Sequence, residues 1–394
     1  IANMSDLVRF YNKQVNLLKE SRINEVISDL DNFIDNDPKK ISWTDLLKRD
    51  LDREITHKFD KNHIVNGLYR PFTRSNLYFD KAFNQRQYQL PNMFPQSSLE
   101  NLVISVTGRG ATKGFSSLIT NYIPDLEMIS KGQCFPLYLY EKKDLTKGHN
   151  DLFDQDNDVV QEEEYTRKDA ITDEALKHFQ DAYPNNAITK EDLFYYIYGL
   201  LHSEEYREKY ADNLTKQLPR IPRVKTYKDF AHFSNAGREL AELHLNYETI
   251  DIHDKVKLKG KNGYTVTKQA VKGGADSDYY VTKMKFGKKK DPETGKNVND
   301  RSTVIYNNFI TIENIPEEAY DYVVNGKPAL EWVMERQSVT THKASGITND
   351  ANDWAIETMK NARYPLELFL RVITVSLETQ KIVNSLPKLD LLVN

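Results

Sequence analysis

The stretch YRPFTRSNLYFDKAFNQR, Tyr69 to Arg86, sets Arg70, Arg74 and Arg86 beside Tyr69, Phe72, Tyr78 and Phe79, with Asp80 as its one acid. A guanidinium forks to a phosphate or to O6 and N7 of guanine, and it stacks on aromatic rings. If this stretch forms strands, some rings must face a core and the guanidiniums are left outside. The chemistry on offer is a grip on a polyanion; the plain alternative is arginine stacked on aromatics for structural reasons. Arg70 and Arg74 are candidate phosphate ligands. Asn84, Gln85, Arg86 and Gln87 are candidate base readers, because arginine suits guanine and Asn or Gln suits adenine.

Two further segments offer similar chemistry. GRGATKG, 108–114, has neither Walker A nor dinucleotide-binding spacing, and FSSLITNYI after it reads as a strand, not the helix those motifs need. It reads as a tight hairpin turn, or as a turn that brings amides, Arg109 and Lys113 close to a polyanion. Lys113 joins the phosphate set and Arg109 the base-reading set. In YVTKMKFGKKK, Lys283 and Lys285 alternate with Met284 and Phe286, so on a strand both lysines share a face. Lys288 and Lys289 carry the charge onward. This is either a solvated hairpin edge guarded by lysine or an element gripping phosphates.

Catalytic patterns are missing. No Asn/Asp-Pro-Pro-Tyr/Phe segment exists to hold a flipped adenine, and there is no helicase signature. The nine histidines are scattered and none forms a His-Glu-x-x-His zinc pattern. His244, flanked by leucines, reads as structural. No serine has a nucleophile-elbow context. Catalytic residues and metal ligands are therefore expected to be none, and no cofactor is assigned to this chain.

The formal net charge is -4, but its distribution matters more. Asp151 to Glu174 holds ten acids against Arg167 and Lys168, a balance of -8. Lys61 to Lys113 carries seven Lys/Arg against Asp80 and Glu100, which is +5. Asp251 to Asp300 has twelve lysines and seven acids, again +5. The single cysteine, Cys134, rules out disulfides within the chain and fits a reducing cytoplasm. No apolar run approaches the ~20 residues of a membrane span, so no membrane partner is expected. The polar start at Ile1 suggests a piece of a longer polypeptide.

These residues need a frame. At 394 residues the chain is too long for one ordinary core. Helical spacing is expected over 4–36, 41–55 (entered through Ser42 or Thr44), 172–183, one run over 190–214, and 228–246. Strand composition marks 62–72, 75–80, 101–106, 115–123, 134–141 and the hairpins of 250–312. PEEAYDYVV, PALEWVMERQ and RYPLELFLRVITVSLETQKIVNSL read as closing helices. The class is α+β: a mixed α/β first lobe, a helical middle, a β-rich basic segment and a helical C-terminal region. The expected divisions are a helical lead-in 1–60, a β-rich recognition lobe 61–150, an acidic linker or insert 151–170, a helical region 171–249, a basic β-hairpin segment 250–312 and a helical C-terminal region 313–394.

One set of segments is specific in its order: YRPF, FPLYLY, DLFYYIYGLLHSEEYREKYADNLTKQLPRIP, FSNAGRELAELHLNYE, KMKFG, ITIENIPEEAYDYVVNGKPALEWVMER, SGITNDANDW and LFLRVITVSLETQKIVNSLP. From about Tyr69 to Leu386 it resembles the C-terminal target-recognition domain of type ISP restriction–modification enzymes. These are single polypeptides joining nuclease, helicase-like translocase, adenine methyltransferase and recognition domain, and they serve phage defence. The resemblance implies a methyltransferase core before Ile1 and readout of a short, asymmetric site in double-stranded DNA. It also implies that methyltransferase and translocase domains of the same polypeptide are partners. S-adenosylmethionine, ATP and Mg would be used only in those other domains. The competing reading is a protein-docking or scaffolding module without sequence-specific DNA readout. Salt dependence and duplex-sequence dependence of binding separate the two.

Overall fold

The computed structural model describes residues 2–23, 29–143 and 164–392. Helix α1 (Ala2–Ile23) packs Tyr11, Val15 and Leu18 against Leu47 and Leu51 of α2 (Asp45–Asp52). The α2 N-terminus is fixed by Thr44, whose hydroxyl accepts from the Leu47 amide at 3.2 Å. Strands β1 (Ile64–Arg70) and β2 (Thr73–Tyr78) form an antiparallel hairpin around Pro71 and Phe72. Phe72 takes a left-handed φ of 55° there and is fully buried. The other edge of β1 runs parallel to Ile123–Pro124.

β3 (Val103–Val106) lies between β4 (Ser117–Thr120) and β5 (Gln133–Pro136), both antiparallel to it. All residues of β3 and β4 are buried, the polar Ser105, Ser117 and Thr120 among them, so this sheet is covered on both faces. β6 (Tyr138–Lys142) pairs with β7 (Tyr165–Asp169). This strand falls within the expected acidic linker or insert 151–170. Residues 151–163 of that segment lie outside the described ones, but 165–169 form a strand. Opposite charges meet across that ladder, Lys168 with Glu141 at 2.5 Å, and Arg167 lies 4.3 Å from the Tyr138 ring centroid.

The expected single helix over 190–214 is three. α3 (Lys190–His202) ends at Ser203, whose hydroxyl accepts from the Tyr206 amide and opens the helix Glu204–Lys209. Ala211–Lys216 follows. A serine able to cap the next turn competes with continuing the helix. α4 (Tyr227–Leu245) crosses α3 where Gly199 meets Gly237. A Cβ on Gly237 would lie 1.9 Å from the Tyr195 carbonyl oxygen, so the crossing requires glycine.

The basic segment is a four-stranded antiparallel sheet. Its order is β9 (Lys285–Lys290), β10 (Asn297–Ile305), β11 (Thr311–Glu313), then β8 (Lys257–Lys259). PEEAYDYVV is not a helix beyond one 3-10 turn at Glu317–Tyr320. From Tyr320 to Val324 burial alternates residue by residue, which suits extended chain. α5 (Ala329–Arg336), the hairpin β12 (Val339–Thr341) with β13 (Thr348–Asp350), and α6 (Tyr364–Asn384) complete the fold. One core gathers Phe72 and Leu118 with Val304, Ile312, Trp332 and Phe369. A second joins Ile104 and Ile119 to Tyr196, Phe230 and Phe233. The α+β architecture thus fastens the first β-lobe to the basic sheet and the C-terminal helices.

Candidate nucleic-acid interface

The loop after β2 is built by its own side chains. The Asp80 carboxylate accepts from the Ala82 amide at 2.8 Å, and the Asn84 side-chain oxygen accepts from the Asp80 amide at 3.1 Å. Arg86 and Tyr88 then take left-handed φ values of 64° and 49°, a conformation that costs non-glycine residues energy. Both side chains stand exposed. Asn84, Gln85, Arg86 and Gln87 all line one cleft of about 230 Å³, faced by Tyr69 and Ser75. Gln85 also reaches Asp45 at 3.5 Å.

The turn 108–114 is a tight hairpin loop between β3 and β4, as one of its two readings held. Thr107 and Ser116 close it, with the Thr107 amide donating to the Ser116 carbonyl at 3.0 Å. Gly108 sits so close to the next loop that a Cβ would lie 1.9 Å from the Lys131 carbonyl oxygen. Lys131 in turn donates to the Gly110 carbonyl at 2.8 Å. Arg109 is exposed at the apex. Lys113 reaches over the Trp332 ring, 5.1 Å from its centroid.

Trp332 is a platform for cations from three segments. Lys327 lies 4.4 Å and Arg336 5.9 Å from its ring. The indole itself is buried and donates to the Val324 carbonyl at 2.8 Å. Arg336 also lies 5.8 Å from the Tyr69 ring, on which Arg70 stacks at 4.0 Å. Such contacts hold cations in place without cancelling their charge. Glu335 touches both Lys327 and Arg336. Burial works against its charge, but these two neighbours hold its carboxyl below the usual value.

The basic groove comes next. Lys283, Lys285 and Lys288 line a space of about 500 Å³ together with Lys327 and Glu335. Met284 and Phe286 line it too, and Lys283 precedes β9; Lys283 and Lys285 are exposed on either side of buried Met284. Lys288 donates to Asn299 at 2.6 Å. Lys289 turns to Glu317 at 3.2 Å and Asp300 at 3.7 Å. The ladder of β9 with β10 is irregular between Phe286 and Gly287, so simple alternation does not carry through to the last lysines.

A third cleft, of about 200 Å³, lies between β2 and the β12–β13 hairpin. Tyr69 and Ser75 line both it and the cleft of the 84–87 loop; Glu335 lines both it and the basic groove. The three spaces adjoin through these shared residues and are walled by residues far apart in the chain.

Two nominated arginines are less available. Arg70 pairs with Asp125 at 2.6 Å. Arg74 points inward: its guanidinium meets Glu248 at 2.7 Å and the Tyr122 hydroxyl at 2.9 Å, and its side chain is 15% exposed. Burial opposes its charge while Glu248 supports it, and the guanidinium is held above its usual value. Sequence reasoning missed Lys327, Trp332 and Arg336. Their signal was present in GKPALEWVMER, since a tryptophan and an arginine four apart share a helix face. Among the described residues no cluster of three or more His, Cys, Asp or Glu could hold a metal ion, and no helix is long and apolar enough to cross a membrane.

The family model described as the Type ISP C-terminal specificity domain matches residues 1–368. Among solved structures, the chain is similar to the ATP-dependent Type ISP restriction-modification enzyme LlaBIII bound to DNA. The identity is 34% and the TM-score 0.77, over 99% of this chain and 22% of that one. It is similar also to a nuclease-deletion mutant of the Type ISP enzyme LlaGI in complex with a DNA substrate mimic, at 32% identity and TM-score 0.76, over 99% of this chain and 31% of that one. A third similar structure is the DrdV–DNA complex, at 29% identity and TM-score 0.72, over 97% of this chain and 33% of that one. The chain thus spans between 22% and 33% of the length of these proteins. No curated protein matches it.

Proposed function

This chain belongs to the family of Type ISP C-terminal specificity domains, and from that premise we propose that it recognises a short asymmetric sequence in double-stranded DNA. The observation that carries the reading is the set of three adjoining clefts, whose walls include the 84–87 loop, Lys327 and Arg336 beside the Trp332 ring, and Lys283, Lys285 and Lys288. Lys113, Lys283, Lys285, Lys288, Lys327 and Arg336 contact phosphates and set register. The exposed Arg86, with Asn84, Gln85 and Gln87, reads base edges, and Arg109 does so from its turn. Arg70 is a weaker phosphate ligand because Asp125 competes for it, as Glu335 does for Lys327 and Arg336. Arg74, in the wall of the third cleft, is tied to Glu248, and Lys289 holds β9 to Glu317.

Readout here positions an adjoining adenine-N6 methyltransferase and licenses a translocase-nuclease of the same polypeptide, in the cytoplasm. S-adenosylmethionine, ATP and Mg serve those other parts; this chain carries no catalytic step. Residues 67–126, 283–299 and 327–354 all supply walls, and the core that joins them fixes their span.

The test is a selection of bound duplexes from a random pool with the full chain at two salt concentrations. Enrichment of one asymmetric sequence that survives the higher salt is the expected result. Binding without enrichment, lost steeply as salt rises, would leave only a phosphate-gripping surface. Absence of binding at both salts would overturn the reading in favour of a docking module.

A further inference from the structure

We propose that the β12–β13 hairpin is a second base-reading element, which enters the major groove beside the 84–87 loop. The inference rests on the DNA-recognition reading above. The segment VTTHKASGITN, Val339 to Asn349, holds no carboxylate, and all but Val339 and Ser345 are exposed. Neither face of the hairpin is covered by the body. A two-stranded hairpin with no covered face is marginal in water, so this one owes its order to its base. There the Val339 amide donates to the Thr282 carbonyl at 2.8 Å, and the Asn352 amide group bridges Val281, accepting at 2.9 Å and donating at 2.8 Å. The result is a polar ribbon on a rigid footing. A two-stranded ribbon is one of the two backbone shapes that a B-form major groove, about 12 Å wide, admits.

The orientation follows from the pairing. Thr340 lies opposite Asn349, and both line the cleft shared with Ser75 and Arg336. Thr341 and Thr348 form the next pair, on the other face by strand alternation, with their hydroxyls bonded to each other at 2.8 Å. The groove-side pair is chemically suited to bases: asparagine pairs with adenine N6 and N7, and threonine offers a hydroxyl and a methyl group. A second observation lies at the floor of the same cleft. Gln337 is 4% exposed and its side-chain carbonyl oxygen has no hydrogen-bond partner. A buried acceptor without a donor is rare in folded proteins. A donor brought into this cleft by a bound base or its water would satisfy it. Lys39 flanks the ribbon tip beside Gly346, where a backbone phosphate would pass.

The experiment repeats the pool selection with two double variants of the full chain. Thr340→Ala with Asn349→Ala removes the groove-side pair; Thr341→Ala with Thr348→Ala removes the opposite pair. All four positions are exposed, and thermal midpoints check that both variants fold. The groove-side variant is expected to lose about 5- to 150-fold discrimination at one or two adjacent base pairs, with its salt slope unchanged. The opposite-face variant is expected to keep the wild-type motif. If the groove-side variant also keeps it, the hairpin assignment is overturned while DNA recognition stands. If the wild-type chain enriches nothing, recognition itself fails and this assignment falls with it.

Discussion

Arg74 and Arg86 come from one basic, aromatic stretch and have opposite fates. Arg74 is tied to Glu248 in the wall of the third cleft; Arg86 stands exposed on a left-handed backbone. Arg86→Ala should relax preference at one base pair and cost about 1–3 kcal/mol there, read from affinities for single-base variants of the selected site. Uniform weakening on every sequence would instead make Arg86 a phosphate clamp. Lys288→Ala should lower the slope of log affinity against log salt by about one unit; an unchanged slope would mean a merely solvated lysine. Arg74→Ala leaves a mostly buried carboxylate behind, so it should lower stability by about 3 kcal/mol in denaturant unfolding. Glu248→Gln in that background should restore part of the loss. The exposure of Lys283 and Lys285 on either side of buried Met284 was readable from alternation alone. The fate of Arg74 was not, because its partner lies far down the chain and only the tertiary fold brings it near.

Among the elements, the crossing of α3 and α4 is the stiffest joint. Gly237→Ala should destabilise the protein by about 1–3 kcal/mol or more, since helix backbones must separate to admit the methyl group. The same region gives a pH dependence. His244 is buried between Tyr198 at 2.6 Å and Thr379 at 2.9 Å, and desolvation lowers its pKa to about 3. The unfolded chain takes up this proton below about pH 6.5, while the folded chain stays neutral until about pH 3. Stability from this site is therefore full above pH 6.5 and is lost progressively as pH falls toward 3. The thermal midpoint should drop between pH 7 and 5, and His244→Gln should flatten that drop. Buried His202, also held neutral mainly by desolvation, should leave a residue of it. The long helices were legible because their apolar period was clear. β7 was not, because its strand is polar and is held by charges on β6 that no local pattern reveals.

At the scale of the whole molecule, a chain of net charge -4 presents a groove lined by Lys283, Lys285, Lys288 and Lys327, with Lys113 over the Trp332 ring. Regional charge sums pointed to both basic segments, but their meeting depends on a core that joins Phe72 and Leu118 to Val304 and Trp332. Apolar composition shows that such residues are buried and not with whom. That core has an optical consequence. Of the three tryptophans, Trp332 underlies the cation platform and Trp354 lines the cleft beside the hairpin. Phosphates drawing Lys113 and Lys327 toward themselves would change the field at the indole of Trp332. Intrinsic emission should therefore shift as duplex is added, and Trp332→Phe should remove most of that shift while keeping a ring for the cations. The protein would then report its own occupancy in light, with no dye attached.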